Sequence, residues 1–279
     1  MYEVLVPIDF SEESVIALEY GIALANHLNA NLRVIHVKCN TVILPFFAEE
    51  NAKYRLDHNV DMWAKELYEK YKSRYKVKNG YFDYKIREGN VIKEITNQAK
   101  YGDSSVLVVA THNNKKESKW LGSDAYRLVS HSPCPVVVVN KRMKLKYDIK
   151  SIVVPVDYSI ASRKKVPAVT GMAYLFDAKV HVVGLKSSDL KWMNDEMSVF
   201  VKQVKEYITK NAHVNVESDQ IAGREFAKNL MDYADKVDAD MLTVHVHHSN
   251  NPFVRLFQPF TNELVNNSLK PVLVIPTKD

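Results

Sequence analysis

Three groups of residues in this sequence have types and spacings that bear on chemistry. The first would make an anion cradle. Val106–Ala110 is a short apolar run bounded by polar clusters, which reads as a buried strand. A long polar loop follows it. Gly122-Ser123 then opens a helix that Pro133 and Pro135 stop, and Val136–Val139 is a second buried strand. That succession aims free backbone N–H groups from a helix N-terminus at the carboxyl edge of a parallel sheet, where phosphates bind. Lys115, Lys116 and Lys119 lie in the loop, either to offset phosphate charge or simply as solvated residues. The second group is His245, His247 and His248. On a strand, His245 and His247 share a side, which suits zinc only with a third ligand. No partner cysteine or carboxylate is visible in the sequence, so no metal is expected. The third group is Asp9, Ser11 and Ser123, whose spacing makes no hydrolytic triad. The sequence carries no Walker loop, GxGxxG or His-Glu-x-x-His.

The elements that must position these residues follow from periodicity. Glu3–Ile8 is a buried strand, and Ser11 is placed to cap a helix carrying Ile16, Leu18, Ile22, Ala23 and Leu28 up to about Asn29. Asn31–Val37 is the next strand, followed by an irregular loop from Asn40 to about Glu50. From Asn51, the positions Leu56, Val60, Trp63, Leu67 and Tyr71 step by three or four along one face of a long helix. Tyr81–Arg87 is a strand, and Gly89-Asn90 opens a helix carrying Ile92, Ile95 and Ala99. Strands alternating with helices predict a doubly wound parallel α/β sheet.

The pattern then repeats. Pro155-Val156-Asp157-Tyr158-Ser159 matches Pro7-Ile8-Asp9-Phe10-Ser11 at an offset of 148 residues, as Val180 and Val182 match Leu32 and Val34. Pro271-Val-Leu-Val matches Pro135-Val-Val-Val at an offset of 136, so the second copy is about 12 residues shorter, most of the loss falling around Asn40–His58. In that copy Met197, Val201, Val204 and Ile208 form the helix face, His213–Ile221 the strand, and Gly223 precedes the next helix. A repeat this long means two copies of one domain, residues 1–142 and 143–279, joined by the basic linker Lys141–Lys150.

Bulk properties narrow the function classes. The chain has 279 residues, 46% hydrophobic and 25% charged, enough to bury a core in each copy. No stretch reaches the roughly 20 apolar residues of a membrane helix. Residues 1–13 show neither a basic n-region nor a cleavage site, so no signal peptide is expected. Cys39 and Cys134 are the only cysteines and make no metal or redox motif, which predicts a reducing cytoplasm; Cys134, between two prolines, reads as an inert core thiol. The net charge of +5 is spread along helices rather than clustered with aromatics, so no nucleic-acid partner is expected.

Taken together, Pro-x-Asp-Phe-Ser after the first strand, His36-Val37 closing the second, Thr111-His112 after the fourth, Gly122-Ser123 before the last helix and the terminal Pro-x-Pro-Val-Val-Val-Val run resemble the universal stress protein family, and both halves carry the resemblance. It implies two tandem Rossmann-like domains of the adenine nucleotide alpha hydrolase type, each a five-stranded parallel sheet of order 3-2-1-4-5 flanked by helices. It implies a stress-response binding or regulatory role without catalysis. In one subgroup of that family the ligand is ATP or a related nucleotide, held by a loop reading Gly-x2-Gly-x9-Gly-Ser/Thr. By that resemblance Pro7, Ile8, Asp9 and Val37 line an adenine and ribose pocket, Asp9 accepting hydrogen bonds from base or sugar, while Ala110, His112, Asn113, Gly122, Ser123 and Asp124 form the phosphate side. The plainer reading of Asp9 is that it caps the first helix or braces a turn.

The first copy departs from the family loop. Ala110 and Asn113 stand where its first two glycines belong, and only eight residues separate Asn113 from Gly122, one short. Ala110 adds a methyl group where backbone must approach a ligand, whereas Asn113 can still adopt a left-handed conformation. The N–H groups of Gly122 and Ser123 and the Ser123 hydroxyl can still hold phosphate, the helix dipole adding about 0.3–1 kcal/mol. The second copy departs further: His245 and His248 replace the two glycines and Gln258-Pro259 replaces Gly-Ser, and proline has no N–H to give. The sequence therefore predicts ATP, ADP or AMP bound weakly in the first copy and a degenerate site in the second. The alternative is a structural or protein-interaction module that binds no nucleotide. Slow ATP hydrolysis is disfavoured because no general base or metal ligand is identifiable. The signatures His-x-Gly-His and Ser-Gly-Gly-x-Asp-Ser of related adenylating folds do not occur. Finally, Val136–Val139 and Val272–Ile275 would each be an apolar edge strand. Domains of the resembled family dimerise there, which implies an internal pseudo-dimer of the two copies or a homodimer.

Overall fold

The computed structural model describes residues 2–38, 56–111, 123–157, 159–186, 191–223, 225–247 and 259–277. The chain divides into two compact units, Met1–Arg142 and Met143–Asp279. In the first, the elements are β1 (Glu3–Pro7), α1 (Glu12–Leu28), β2 (Asn31–Lys38), α2 (Leu56–Tyr71) with a 3-10 turn at Lys72–Arg74, β3 (Phe82–Glu88), α3 (Val91–Tyr101), β4 (Val106–Ala110), α4 (Ser123–His131) and β5 (Val136–Val139). The second unit repeats them as β6 (Ser151–Val156), α5 (Ile160–Lys164), α6 (Val166–Phe176), β7 (Lys179–Lys186), α7 (Lys191–Ala212), β8 (Val216–Ala222), α8 (Phe226–Lys236), β9 (Met241–His247), α9 (Pro259–Asn267) and β10 (Val272–Thr277).

Within the first unit the strands lie in the order β3-β2-β1-β4-β5, every pair parallel. Within the second the order is β8-β7-β6-β9-β10, again parallel throughout. This is the doubly wound arrangement that the alternation predicts. Helices cover both faces of such a sheet, so its central strands are apolar on both sides. Val4, Leu5, Val6, Leu107, Val108 and Val136–Val139 are accordingly buried, as are Ile152, Val153, Val154 and Val272–Val274.

Local signals set the helix ends. The Ser11 hydroxyl accepts the Ser14 N–H at 3.2 Å, Glu12 and Glu13 occupy the first turn of α1, and Asn29 closes it in the left-handed conformation with φ 49°. Asn90 caps α3 through the Lys93 N–H at 3.0 Å. The second unit splits what is one helix in the first. Pro167 has no N–H and its ring would collide with the carbonyl four residues back, so α5 stops and α6 restarts at Val166.

Two strand starts differ from the sequence expectation. β3 begins at Phe82 because the Tyr81 N–H is taken by the Asn31 side chain, at 3.1 Å. β8 begins at Val216, not His213: α7 continues to Ala212, and His213 turns the chain in the left-handed region with φ 55°. No helix among the described residues is long and apolar enough to cross a membrane.

α1 lies close against the sheet at Gly21, where an added Cβ would sit 2.5 Å from the Val6 side chain. Gly21→Val is therefore expected to lower the stability of the first unit by about 1–3 kcal/mol through overpacking. The check is the urea midpoint of the full chain followed by tryptophan fluorescence; an unchanged midpoint would show that helix and strand are not in close contact there.

Candidate functional site

The sheet of the first unit reverses its winding between β1 and β4: the chain runs outward through β2 and β3, then returns beside β1. Ligand clefts of open α/β sheets form at that switch, outside the carboxyl ends of the strands. Pro7 ends β1 there and Ile8 and Asp9 follow it, Val37 ends the buried part of β2, and Ala110 ends β4. Ser123 opens α4 on the same chain crossing. His112, Asn113 and Gly122 lie outside the described residues, as do Lys115, Lys116 and Lys119, and the description does not extend to the side chains of Ser123 and Asp124.

The turn after β1 is built around a half-buried carboxylate. Asp9 Oδ1 accepts the Ser11 backbone N–H at 3.0 Å and also the Ser11 hydroxyl. Asp9 thus braces the turn, while Ser11 rather than Asp9 caps the helix. Between them Phe10 takes φ 64°, an unusual conformation for a bulky residue. Its buried ring packs on His36 at 4.8 Å and Trp63 at 5.6 Å between centroids. His36 Nδ1 lies 2.8 Å from the carbonyl oxygen of Ile8, and the Ile8 N–H donates to the Ile35 carbonyl at 2.9 Å. Burial lowers the His36 pKa, so the ring is neutral at pH 7 and its Nδ1 is the donor. The backbone of Ile8 is therefore committed to the fold, and Asp9 is the first residue past β1 with a polar side chain at the rim. On the far side, Thr111 is anchored to the Val139 carbonyl at 3.0 Å, and Asn140 is fully buried with no partner for its Nδ2.

The second unit has the same turn with one added charge. The Ser159 N–H donates to Asp157 Oδ1 at 2.8 Å, the Ser162 N–H to Ser159 Oγ at 3.0 Å, and the Asp157 N–H to Ser162 Oγ at 3.0 Å. At the break between α5 and α6, Lys165 turns inward. It is 2% exposed, and its ammonium donates to the carbonyl of Pro155, the strand residue two before Asp157. By the 148-residue offset, Lys165 stands where the first unit has the buried Ala17. Burial pushes the Lys165 ammonium down to about 8, with the Asp157 charge opposing. Burial also disfavours the Asp157 carboxylate. Hydrogen bonds from Ser159 and the charges of Lys165 and His245 outweigh it and hold that carboxyl below its ordinary range. Sequence reasoning missed Lys165 because it reads as the end of the solvated run Arg163-Lys164-Lys165. Aligning the two copies places it under Ala17, and that was the available signal.

The remaining candidates are less connected. His245 is half-buried on β9, and its carbonyl accepts the Thr261 hydroxyl at 3.0 Å. The description includes the backbone of His247 but not its side chain, and His248 and Gln258 lie outside it. Among the described residues no group of three His, Cys, Asp or Glu side chains is placed to hold a metal ion. Pro259 begins α9. Cys134 is buried beside the Ser132 hydroxyl at 3.6 Å, and burial raises its thiol to about 11; Cys39 lies outside the described residues.

The family model described as the universal stress protein family matches residues 1–140. A search of curated proteins returned no match. Among solved structures, a universal stress protein from Archaeoglobus fulgidus DSM 4304 aligns with a TM-score of 0.74 at 16% identity, over 99% of this chain and 97% of that one. A putative universal stress protein from Pseudomonas aeruginosa UCBPP-PA14 aligns with a TM-score of 0.65 at 13% identity, over 99% and 93%. At these identities the structural likeness bears on the fold alone.

The buried lysine gives a signed pH dependence. In the unfolded chain Lys165 keeps its ordinary 10.5, whereas in the fold it holds its proton only below about 8. Between those values the unfolded state binds more protons, so stability rises with pH, by a total of order 3 kcal/mol. Urea unfolding of the wild type and Lys165→Met from pH 7 to 10.5 reads this: the rise belongs to the wild type and is absent from the variant. Parallel curves for the two proteins would show that Lys165 is not desolvated.

Proposed function

This chain belongs to the universal stress protein family, and from that premise we propose that it is a non-catalytic stress-response protein of two domains, residues 1–142 and 143–279, whose first domain binds an adenine nucleotide. The observation that carries the reading is the difference between the two turns after the first strand of each unit. In the first, the half-buried Asp9 carboxylate is bonded to Ser11, and the buried Ala17 stands at the position equivalent to Lys165. In the second, a lysine ammonium is already inserted against the Pro155 carbonyl. A nucleotide would bring its base and ribose to Pro7, Ile8, Asp9 and Val37, and its phosphates to Ala110, His112, Asn113 and the Gly122-Ser123-Asp124 helix start. The second domain lacks one phosphate donor at Pro259 and already holds its own cation, so it keeps the fold as a partner surface. The protein acts in the cytoplasm, a reading supported by the sparse cysteines. β5 and β10 are end strands of their own units' sheets, and strand pairing through these apolar edges belongs to the same proposal.

Calorimetric titration of the full chain with ATP, ADP and AMP tests the site. Asp9→Ala should weaken binding about tenfold or more, as expected for losing hydrogen bonds to a charged acceptor. Gly122→Trp should abolish it and Pro259→Ser should leave it unchanged. No heat and no thermal shift with about 1 mM of each nucleotide would favour the rival reading, an interaction module that binds none. Phosphate release above background, lost in Asp9→Ala, would revive an enzymatic role.

A further inference from the structure

We propose that the trough between α7 and the edge strand β8 of the second unit is a docking site for an extended acidic peptide segment of another protein. This proposal stands apart from nucleotide binding in the first unit. The trough has a volume of about 700 Å³, and its walls include Val201, Lys202, Lys205, Lys210, Ser218 and Gln220. Its counterpart in the first unit is filled. Phe82 pairs with Leu32 as Val216 pairs with Val180, so Phe82, Tyr84 and Ile86 correspond to Val216, Ser218 and Gln220. In the first unit Tyr68 of α2 lies over Phe82 and Tyr84 with ring centroids 5.0 and 6.0 Å apart, and Tyr75 adds a third ring 5.9 Å from Phe82. Matching the buried faces of α2 (Val60, Ala64, Leu67) and α7 (Met197, Val201, Val204) sets Lys205 at the place of Tyr68. An aromatic seam has thus become a lysine above a serine. α7 also settles onto β7 at Gly184, where an added Cβ would meet Val201 at 2.7 Å and Met197 at 3.1 Å. The helix also meets β8, where the Gln220 side-chain amide donates to the Ser198 hydroxyl at 2.8 Å, and the trough opens along this seam.

Three features select the occupant. The trough is long: its walls run from Ser198 to Lys210, about 18 Å of helix, the length of five or six extended residues. It runs beside β8, whose one strand neighbour among the described residues is β7, so the outer edge of β8 can take a further strand once the Gln220 N–H exchanges its bond to Asp219 Oδ1, 2.7 Å long, for one to the incoming backbone. Its charge is positive, Lys202, Lys205 and Lys210 against Glu206 alone, and Glu206 is 3.9 Å from Lys202. The other face of β8 carries exposed Glu217 and Asp219, and Lys179 meets Glu217 at 2.6 Å. An added strand therefore places acidic side chains toward α7 and neutral or basic ones on the opposite face, a period of two. A second copy of this chain fits less well, because pairing β8 with itself about its centre sets acid beside acid.

The test uses the full chain and a fluorescein-labelled decapeptide of alternating Glu and Thr, followed by anisotropy. Binding is expected at low salt and should weaken at about 0.5 M NaCl, and a Lys-Thr peptide should not bind. Lys205→Tyr with Ser218→Tyr restores the residues of the first unit and should weaken binding at least tenfold with the thermal midpoint retained. Lys202→Glu with Lys210→Glu should produce the same loss without depending on core packing. A peptide N-methylated at every second residue, unable to pair with the strand edge, should also lose at least tenfold. No binding at millimolar peptide, equal binding of the N-methylated peptide, or calorimetric binding of dodecanoate without peptide binding would each overturn the proposal. Nucleotide titrations should be the same in all these variants.

Discussion

Parallel strands buried on both faces leave charged side chains little room except at the rims of the sheet. The rest of both units depends on that constraint. At the amino rim of the first unit, the buried Glu3 carboxylate is held by Arg33 at 3.1 Å, by the Ser104 hydroxyl at 2.7 Å and by the Tyr81 hydroxyl. Arg33 in turn forks onto Asp83 at 2.9 and 3.0 Å. The second unit has Ser151 and His181 at those register positions, with His181 3.5 Å from Glu217 and Asp240 accepting the backbone N–H groups of Lys150 and Ser151. The amino rim ties the strands to one another through these polar side chains.

The two units show how far one scaffold can be rewritten at its rims and helix seams while its ladders stay in register. Ala17 becomes Lys165, His36 becomes Gly184, and Tyr84 becomes Ser218. None of these changes alters strand order. Each alters what the space beside the sheet contains: a cation at one cleft, a tighter helix at Gly184, an open trough beside β8.

The fold was legible because it is written in short-range patterns. Apolar runs of four to eight residues bounded by turn residues mark the strands, and Ser11, Asn90 and Gly223 mark helix starts. The errors fell where side chains compete for backbone groups, as Asn31 does for Tyr81, or where a helix outlasts its periodicity, as α7 does before His213. The cleft was legible in part. Pro-x-Asp-x-Ser announced a turn, but periodicity does not show that Asp9 braces it while Ser11 caps the helix, nor that a lysine at the end of a basic run is folded inward. Such facts depend on which backbone carbonyl lies opposite, and that is set by the register between distant segments.

Burial also sets the reactivity of Cys134. Its sulfur is buried and its thiol raised to about 11, so at neutral pH only about one molecule in ten thousand carries the thiolate that peroxide or a disulfide would attack. Oxidant chemistry does not enter this polypeptide through that sulfur.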